Sequence, residues 1–459
     1  MPLNRRSLMA SGAAALAFSG LGRHALAAAQ ETYVNEVTGY GPLKADPAGR
    51  LDLPEGFSYR VLSRAGEVMD DGLLVPGQFD GMGCFPLEGS KVALVRNHEL
   101  KPSSASHWTR TAWADDAGRL ERIDPARAYG VTKDGRIVPG GTTTLVYDMD
   151  TGVVERQHLS LVGTSTNCCG GHTPWGSWLT CEETEDRPET ADVSQSHGWV
   201  FEVPARETGL VKPEPLTGMG RFDHEAVCVD PGTGVVYLTE DRSDGLFYRF
   251  IPTTPGRLAE GGRLQAMALK DAPSADTSNR TQRLWAVGDW REVEWIDMED
   301  VHSPNDDLRM RGHAAGAALV SRGEGVFWGD GELYLTATSG GPIERGQILR
   351  YQPAGDNGGR VQLFVESTDE KALNMGDNLT VAPWGHLVVC EDNYSPTIRN
   401  HVKGVDALGR LYTIARNVME GNSEFCGAVF SPDGGTLFVN IQNPGVTYAI
   451  TGPWGRISA

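Results

Sequence analysis

The sequence is short of several features on which whole classes of protein depend. It has no basic tract long enough to follow a phosphate backbone: across 459 residues Lys and Arg number 41 against 60 Asp and Glu, a formal net charge of −19, which argues against a nucleic-acid partner. After residue 30 no stretch approaches the roughly 20 strongly apolar residues of a membrane span. Cysteine is sparse and odd in number, Cys84, Cys168, Cys169, Cys181, Cys228, Cys390 and Cys426, so a complete disulfide framework is excluded while one or two bridges stay open. Most such thiols pack as small buried hydrophobes. Helical periodicity is scarce. There is no Gly-x-Ser-x-Gly elbow, no Gly-x-x-x-x-Gly-Lys phosphate loop and no Gly-x-Gly-x-x-Gly in a βαβ setting, which sets aside the common α/β hydrolase, nucleotide and dinucleotide chemistries.

Glycine is plentiful, at 57 residues, with 26 prolines: a folded, turn-rich chain. Its first 27 residues read as an export leader. Arg5-Arg6-Ser7-Leu8 opens a modestly apolar Ala/Gly run that ends at Ala25-Leu26-Ala27, a small-residue cleavage pattern. The paired arginines and the basic Arg23 favour the twin-arginine export machinery, with a periplasmic or secreted product. Removing Arg5, Arg6 and Arg23 leaves 38 basic against 60 acidic residues, a net charge of −22. A surface so acidic repels phosphate and carboxylate substrates unless bound cations invert the local field. Export of already folded chains is a first pointer to an inserted metal.

Residues 28–459 read as one all-β domain. Short alternating apolar segments are broken by Gly, Pro, Asn and Asp, and one hairpin unit, a strand, a tight turn and a second strand ending in polar residues, recurs six times. The units are Met82 to Glu99, Thr173 to Glu183, Val227 to Asp241, Val326 to Thr338, Leu379 to Asp392 and Ala428 to Gln442. Recurrence at this spacing predicts a six-bladed β-propeller. Lys101–Val138 and Pro252–Gly312 read as insertions between blades that shape the mouth of a site.

Innermost propeller strands line a central channel, so strand-end carboxylates from different blades converge. A single such pair is ordinarily a solvated turn; Glu182-Glu183, Glu240-Asp241 and Glu391-Asp392 stand at matching positions. With Asp377 and Asn378 they form an oxygen-rich set suited to calcium. A thiolate beside carboxylates suits a harder transition metal such as ferric iron, with Cys168 and Cys181 the candidates, although each alone is a typical buried thiol. In Phe222-Asp223-His224-Glu225 strand alternation sends only one of the last two side chains inward, and His224 is equally a core histidine. Arg322-Gly323-Glu324 puts both charges on one strand face, an anion clamp beside a metal ligand or a plain surface ion pair. Trp175 and Trp178 suit either sugar stacking or packing between blades.

Arg96-Asn97-His98-Glu99, Asn167-Cys168-Cys169-Gly170-Gly171, Thr173 to Glu183, Gly220 to Glu225, Thr239-Glu240-Asp241-Arg242, Gly376-Asp377-Asn378-Leu379, Glu391-Asp392 and Glu424-Phe425-Cys426 before Ser431-Pro432-Asp433-Gly434, in this order, resemble the PhoX family of alkaline phosphatases from about Gly41 to Trp454. The resemblance implies a six-bladed propeller that hydrolyses small phosphate esters, in the service of phosphate acquisition, with a cluster of ferric iron and calcium ions. It further implies that Cys168 or Cys181 is the iron thiolate and that Glu225 and Glu324 are cluster carboxylates. Arg322 would grip a phosphoryl oxygen, and Glu182, Glu183, Glu240, Asp241, Asp377, Asn378, Glu391 and Asp392 would supply the remaining ligands. Two rival readings are a calcium-only propeller hydrolase, such as a lactonase or phytase, and a non-catalytic calcium-stabilised binding propeller.

Overall fold

A computed structural model describes residues 32–457 apart from residue 356; the leader read at 1–27 lies outside them. The chain is all-β and propeller-like, and the six expected hairpins are present, each beginning a few residues earlier than the alternation suggested. Their first strands are Phe79–Pro86, Asn167–His172, His224–Val229, Gly323–Trp328, Gly376–Val381 and Phe425–Phe430. Each packs against the next, and the last against the first, so the six close a ring.

Each first strand opens an antiparallel sheet that runs outward. Phe79–Pro86 continues through Lys91–His98, Gly140–Asp148 and Val153–Thr164, and Asn167–His172 through Ser177–Glu182 and Val200–Pro204. The third and fourth units share a single sheet, because Trp290–Asp297 at the outer edge of one pairs with Gly358–Glu366 of the other (Trp290 opposite Gln362). The described residues therefore form five sheets around six inner strands.

Both segments expected as insertions between blades are placed differently. Lys101–Val138 joins the second and third strands of one sheet, which pair directly from Lys91 opposite Asp148 to His98 opposite Gly141. It carries the short helix Ala117–Leu120. Pro252–Gly312 supplies two outer strands, Gly262–Leu269 and Trp290–Asp297, before the helix Leu308–Ala314; its polar turns masked the alternation.

The N-terminal segment is stitched into the last two sheets. Leu51 pairs with Asn417, and Ser58–Arg64 lies beside Val446–Thr451, from Ser58 opposite Thr451 to Arg64 opposite Val446.

Apolar side chains on alternate strand positions fill the spaces between neighbouring sheets. Leu437, Val439 and Tyr448 meet Val388, Val402 and Tyr412, while Tyr237 and Phe247 meet Leu335, Leu349 and Tyr351. Comparable clusters occupy the other four contacts around the ring. Each fully buried large side chain of this kind contributes roughly 1.5–3 kcal/mol, so the closed ring is held mainly by these faces. Near the axis the inner strands approach too closely for side chains: a Cβ on Gly171 would lie 1.8 Å from the carbonyl oxygen of Val227.

Candidate metal centre

One structural rule places the site. The second residues of the six inner strands are Asp80, Cys168, Glu225, Glu324, Asp377 and Cys426. Each of those strands has a register shift within its first residues, between Phe79 and Met82, Asn167 and Gly170, His224 and Val227, Gly323 and Val326, Gly376 and Leu379, and Cys426 and Val429. A β-bulge re-aims side chains at the place where pairing loosens, and here it does so six times at one end of the channel.

The bulges are anchored blade to blade. Asn97 Nδ2 donates to the carbonyls of Cys168 (3.0 Å) and Cys169 (2.6 Å). Thr239 Oγ1 donates to that of Glu324 (2.5 Å), Thr336 Oγ1 to that of Asp377 (2.7 Å), and Asn440 Nδ2 to that of Asp80 (2.7 Å). Cys181 and Cys390 occupy the same position on their own second strands. Both are fully buried, Cys181 among Leu179, Val200, Phe222 and Val227, and burial alone pushes its thiol up.

Three groups of ligand atoms each lie within 4.8 Å of one another: Cys168, Glu183 and Glu225; Glu225, Glu324 and Asp377; and Asp80, Glu424 and Cys426. Glu225 belongs to two of them. It is 0% exposed, and neither carboxylate oxygen has a hydrogen-bond partner, while Asp80 Oδ1 is orphaned in the same way. Leaving buried acceptors unpaired costs free energy that a cation would recover.

The electrostatics agree. Burial first, then the charges of Glu324, Asp377 and Glu183, push the Glu225 carboxyl well up. Burial and Asp241 do the same to Glu183, and burial and Asp392 to Glu424. Asp377 is pushed up to about 7 by burial and then by Asp392; Glu99 is also raised to about 7, mainly by burial. Burial and the charge of Asp80 push the Cys168 thiol well up. Burial and mutual repulsion thus favour the protonated forms of Glu225, Glu183 and Glu424. The donors, carboxylate oxygens plus one or two thiols, fit hard cations together with a metal that accepts thiolate.

Arg322 is set among these acids. Its Nε donates to Asp241 Oδ1 (2.8 Å), and its Nη2 to Asp241 Oδ2 (3.0 Å) and Glu324 Oε1 (2.6 Å). Its backbone φ of 52° is left-handed, a conformation a non-glycine residue keeps only where the surroundings enforce it. On one flank Arg242 pairs with Asp223 (2.7 Å) and Glu185 (2.8 Å).

The matched acid pairs divide. Glu183, Asp241 and Asp392 face the centre, whereas Glu182, Glu240 and Glu391, directly opposite the first residues of their inner strands, are turned by alternation into their own blades. Glu182 accepts from the amides of Ser165 (2.9 Å), Gly198 (2.9 Å) and Trp199 (3.1 Å) and meets His197 Nδ1 at 2.6 Å. Glu391 accepts from the amides of Asn374 (2.9 Å) and His401 (3.0 Å), and Glu240 from Leu246 N (3.0 Å) and Tyr248 Oη (2.9 Å). Asn378 Oδ1 accepts from Gly427 N (2.7 Å), tying one inner strand to the next. His224 is a core histidine, its Nε2 2.9 Å from Gly220 O. Trp178 packs between sheets and donates to Asn97 Oδ1 (2.9 Å), and Trp175 Nε1 donates to Glu202.

Asp80, Glu99, Glu424 and Cys426 were not among the candidates. Aligning the six units on their inner-strand starts, instead of on second-strand ends, would have found Asp80 and Cys426.

The sequence matches the model of the alkaline phosphatase PhoX family over residues 38–445. The chain belongs to the PhoX family of alkaline phosphatases. It is a phosphatase that hydrolyses phosphate monoesters, and the rival readings are not favoured. A similar solved structure is Pseudomonas fluorescens PhoX in complex with vanadate, a transition-state analogue, at 18% identity and a TM-score of 0.67, covering 92% of this chain and 97% of that one. A gluconolactonase from Xanthomonas campestris is more distant, at 12% identity and a TM-score of 0.40, covering 92% of this chain and all of that one. Among curated proteins no sequence match is found. No helix among the described residues of this PhoX-family phosphatase is long and apolar enough to cross a membrane.

Proposed function

We propose that this phosphatase is a six-bladed propeller, formed by residues 28–459 after twin-arginine export to the periplasm, and that it works with ferric iron and calcium held at the bulged ends of its inner strands. The observation that carries this reading is Glu225, whose buried and wholly unpartnered carboxylate lies at the junction of two ligand groups. Cys168, Glu183, Glu225, Glu324 and Asp377 would hold one part of the cluster, and Asp80, Glu424 and Cys426 another, with Glu99, Asp241 and Asp392 at its edge. When bound, such ions supply the positive charge that polarises phosphoryl oxygens and offsets the charge of the transition state.

The protein's own groups do the positioning. Asp241 and Glu324 fix the plane of the Arg322 guanidinium, so that it presents a set direction to a phosphoryl oxygen. The Asn and Thr anchors hold the bulges from which the ligands project. The surrounding acids repel any anion that is not drawn in by the cluster.

The test is elemental analysis of the natively exported protein alongside phosphate release by wild type and Glu225→Gln. Iron together with calcium, and a folded variant with no phosphate release, is the expected result. Calcium without iron in fully folded material would overturn the metal assignment, and retained activity in the variant would overturn the site.

A further inference from the structure

Beside the acid ring lies a cleft of about 1040 Å³ whose walls include Asp392 and Glu424 of the ring's edge together with Tyr394, Arg110 and Pro444. A phosphoryl group held at the ring needs little of that space. The rest of a phosphate ester, the alcohol that leaves, has to lie somewhere continuous with the ring, and this cleft is continuous with it.

Tyr394 is the aromatic residue on that wall, and its two ends are in different surroundings. Its hydroxyl donates to Asp392 Oδ2 at 2.5 Å and lies within the electrostatic influence of Arg322. The residue as a whole is 72% exposed. A tyrosine joins an apolar ring face to a polar handle, a combination enriched at binding interfaces.

The segment that carries it is firmly based. Asn393 N and Nδ2 both donate to Asn400 Oδ1 (2.7 and 2.6 Å), Asn400 N donates to Asn422 Oδ1 (2.9 Å), and Asn422 Nδ2 returns to Ile398 O (3.0 Å). Asn393 and Asn400 are buried. A ring set on such a base, with its hydroxyl fixed, loses little freedom when a ligand stacks on it.

We propose that this cleft is the leaving-group subsite and that Tyr394 is a specificity-determining residue, favouring phosphate monoesters whose leaving group carries a flat ring, aryl or nucleoside, over those of small alkyl alcohols. The inference rests on the phosphatase reading of the adjoining ring. Aromatic stacking of a base is worth roughly 5- to 150-fold in binding, and a partly open platform belongs at the lower end, about tenfold.

The experiment compares kcat/KM for 5′-AMP and glycerol 2-phosphate in metal-replete wild type, Tyr394→Ala and Tyr394→Phe. The preference for 5′-AMP is expected to fall about tenfold in Tyr394→Ala, chiefly through KM, and to survive in Tyr394→Phe, which keeps the ring without the hydroxyl. Adenosine alone is expected to bind wild type by equilibrium dialysis, to inhibit 5′-AMP hydrolysis competitively, and to bind Tyr394→Ala about tenfold more weakly. Equal loss on both esters, an unchanged preference in Tyr394→Ala, or no adenosine binding to wild type would overturn the proposal. Wild type that binds adenosine but releases phosphate from neither ester would instead count against the ring as a phosphatase centre.

Discussion

Stripping the metals from this protein should make its stability fall as pH rises, opposite to the behaviour of a protein whose carboxylates are ion-paired. A carboxyl whose folded pKa is raised keeps a proton that the unfolded chain has already released. Stability is therefore lost between the unfolded value and the folded one, and stays lost above it. Asp377 is carried from 3.8 to about 7 by burial and then by Asp392, which at 1.36 kcal/mol per pH unit is a loss of about 4 kcal/mol. Roughly 3 kcal/mol of it falls between pH 5 and pH 8. Glu99, carried from 4.5 to about 7 mainly by burial, acts in the same direction, though the two face common neighbours and their effects are not simply additive. The assay is urea unfolding of chelated protein at pH 5 and pH 8, followed by tryptophan fluorescence. Wild type is expected to lose at least about 3 kcal/mol over that interval, Asp377→Asn to lose distinctly less, and added calcium to restore wild type at pH 8. A chelated wild type equally stable or more stable at pH 8 would refute the reasoning.

Cys168→Ser is expected to change the metal content measured by elemental analysis, whereas Cys181→Ser should keep that content and lower stability by about 1–3 kcal/mol, since it puts a hydroxyl into an apolar cluster; the reverse pattern would exchange the roles of the two thiols. Arg322→Lys should reduce kcat/KM at least about tenfold with the fold intact by circular dichroism, because a lysine cannot reproduce the bidentate geometry with Asp241; near-normal turnover would remove Arg322 from phosphoryl binding. Thr239→Val, close in shape, leaves the buried carbonyl of Glu324 without its donor and should cost about 1–3 kcal/mol in thermal or urea unfolding, and a neutral result would show that the anchor is not needed.

The hairpins were legible because short, largely apolar strands flank a turn of Pro, Gly, Asn or Asp, as Leu379-Thr380-Val381 and Leu387-Val388-Val389 flank Pro383-Trp384-Gly385. The site was legible only in part, and for a physical reason. A bulge breaks the period of two where the ligands sit, so Asp80 and Cys426 fell outside the recognised units. Position after the break cannot be read from the pattern. Glu182 and Glu183 are neighbours with opposite fates, one bonded to backbone amides inside its blade and the other in the ring. Nothing in their chemistry distinguishes them; only the pairing of Asn167 with Glu182 does. Cys168 and Cys181 were separable on the same basis alone. The outer strands Gly262–Leu269 and Trp290–Asp297 were missed because a polar, proline-containing stretch between them resembles an inserted loop.

The pairing of Ser58–Arg64 with Val446–Thr451 fixes the order of events during synthesis. The strand that completes the last sheet leaves the ribosome long before its partner. Until that partner has been made it must wait as an unpaired edge, the kind of segment most prone to pairing with the wrong chain. Because the residues of the ring run from Asp80 to Cys426, the candidate metal groups come together only once all six inner strands have been made. Closing the circle is thus a late event, which loss of either Ser58–Arg64 or Val446–Thr451 would forestall.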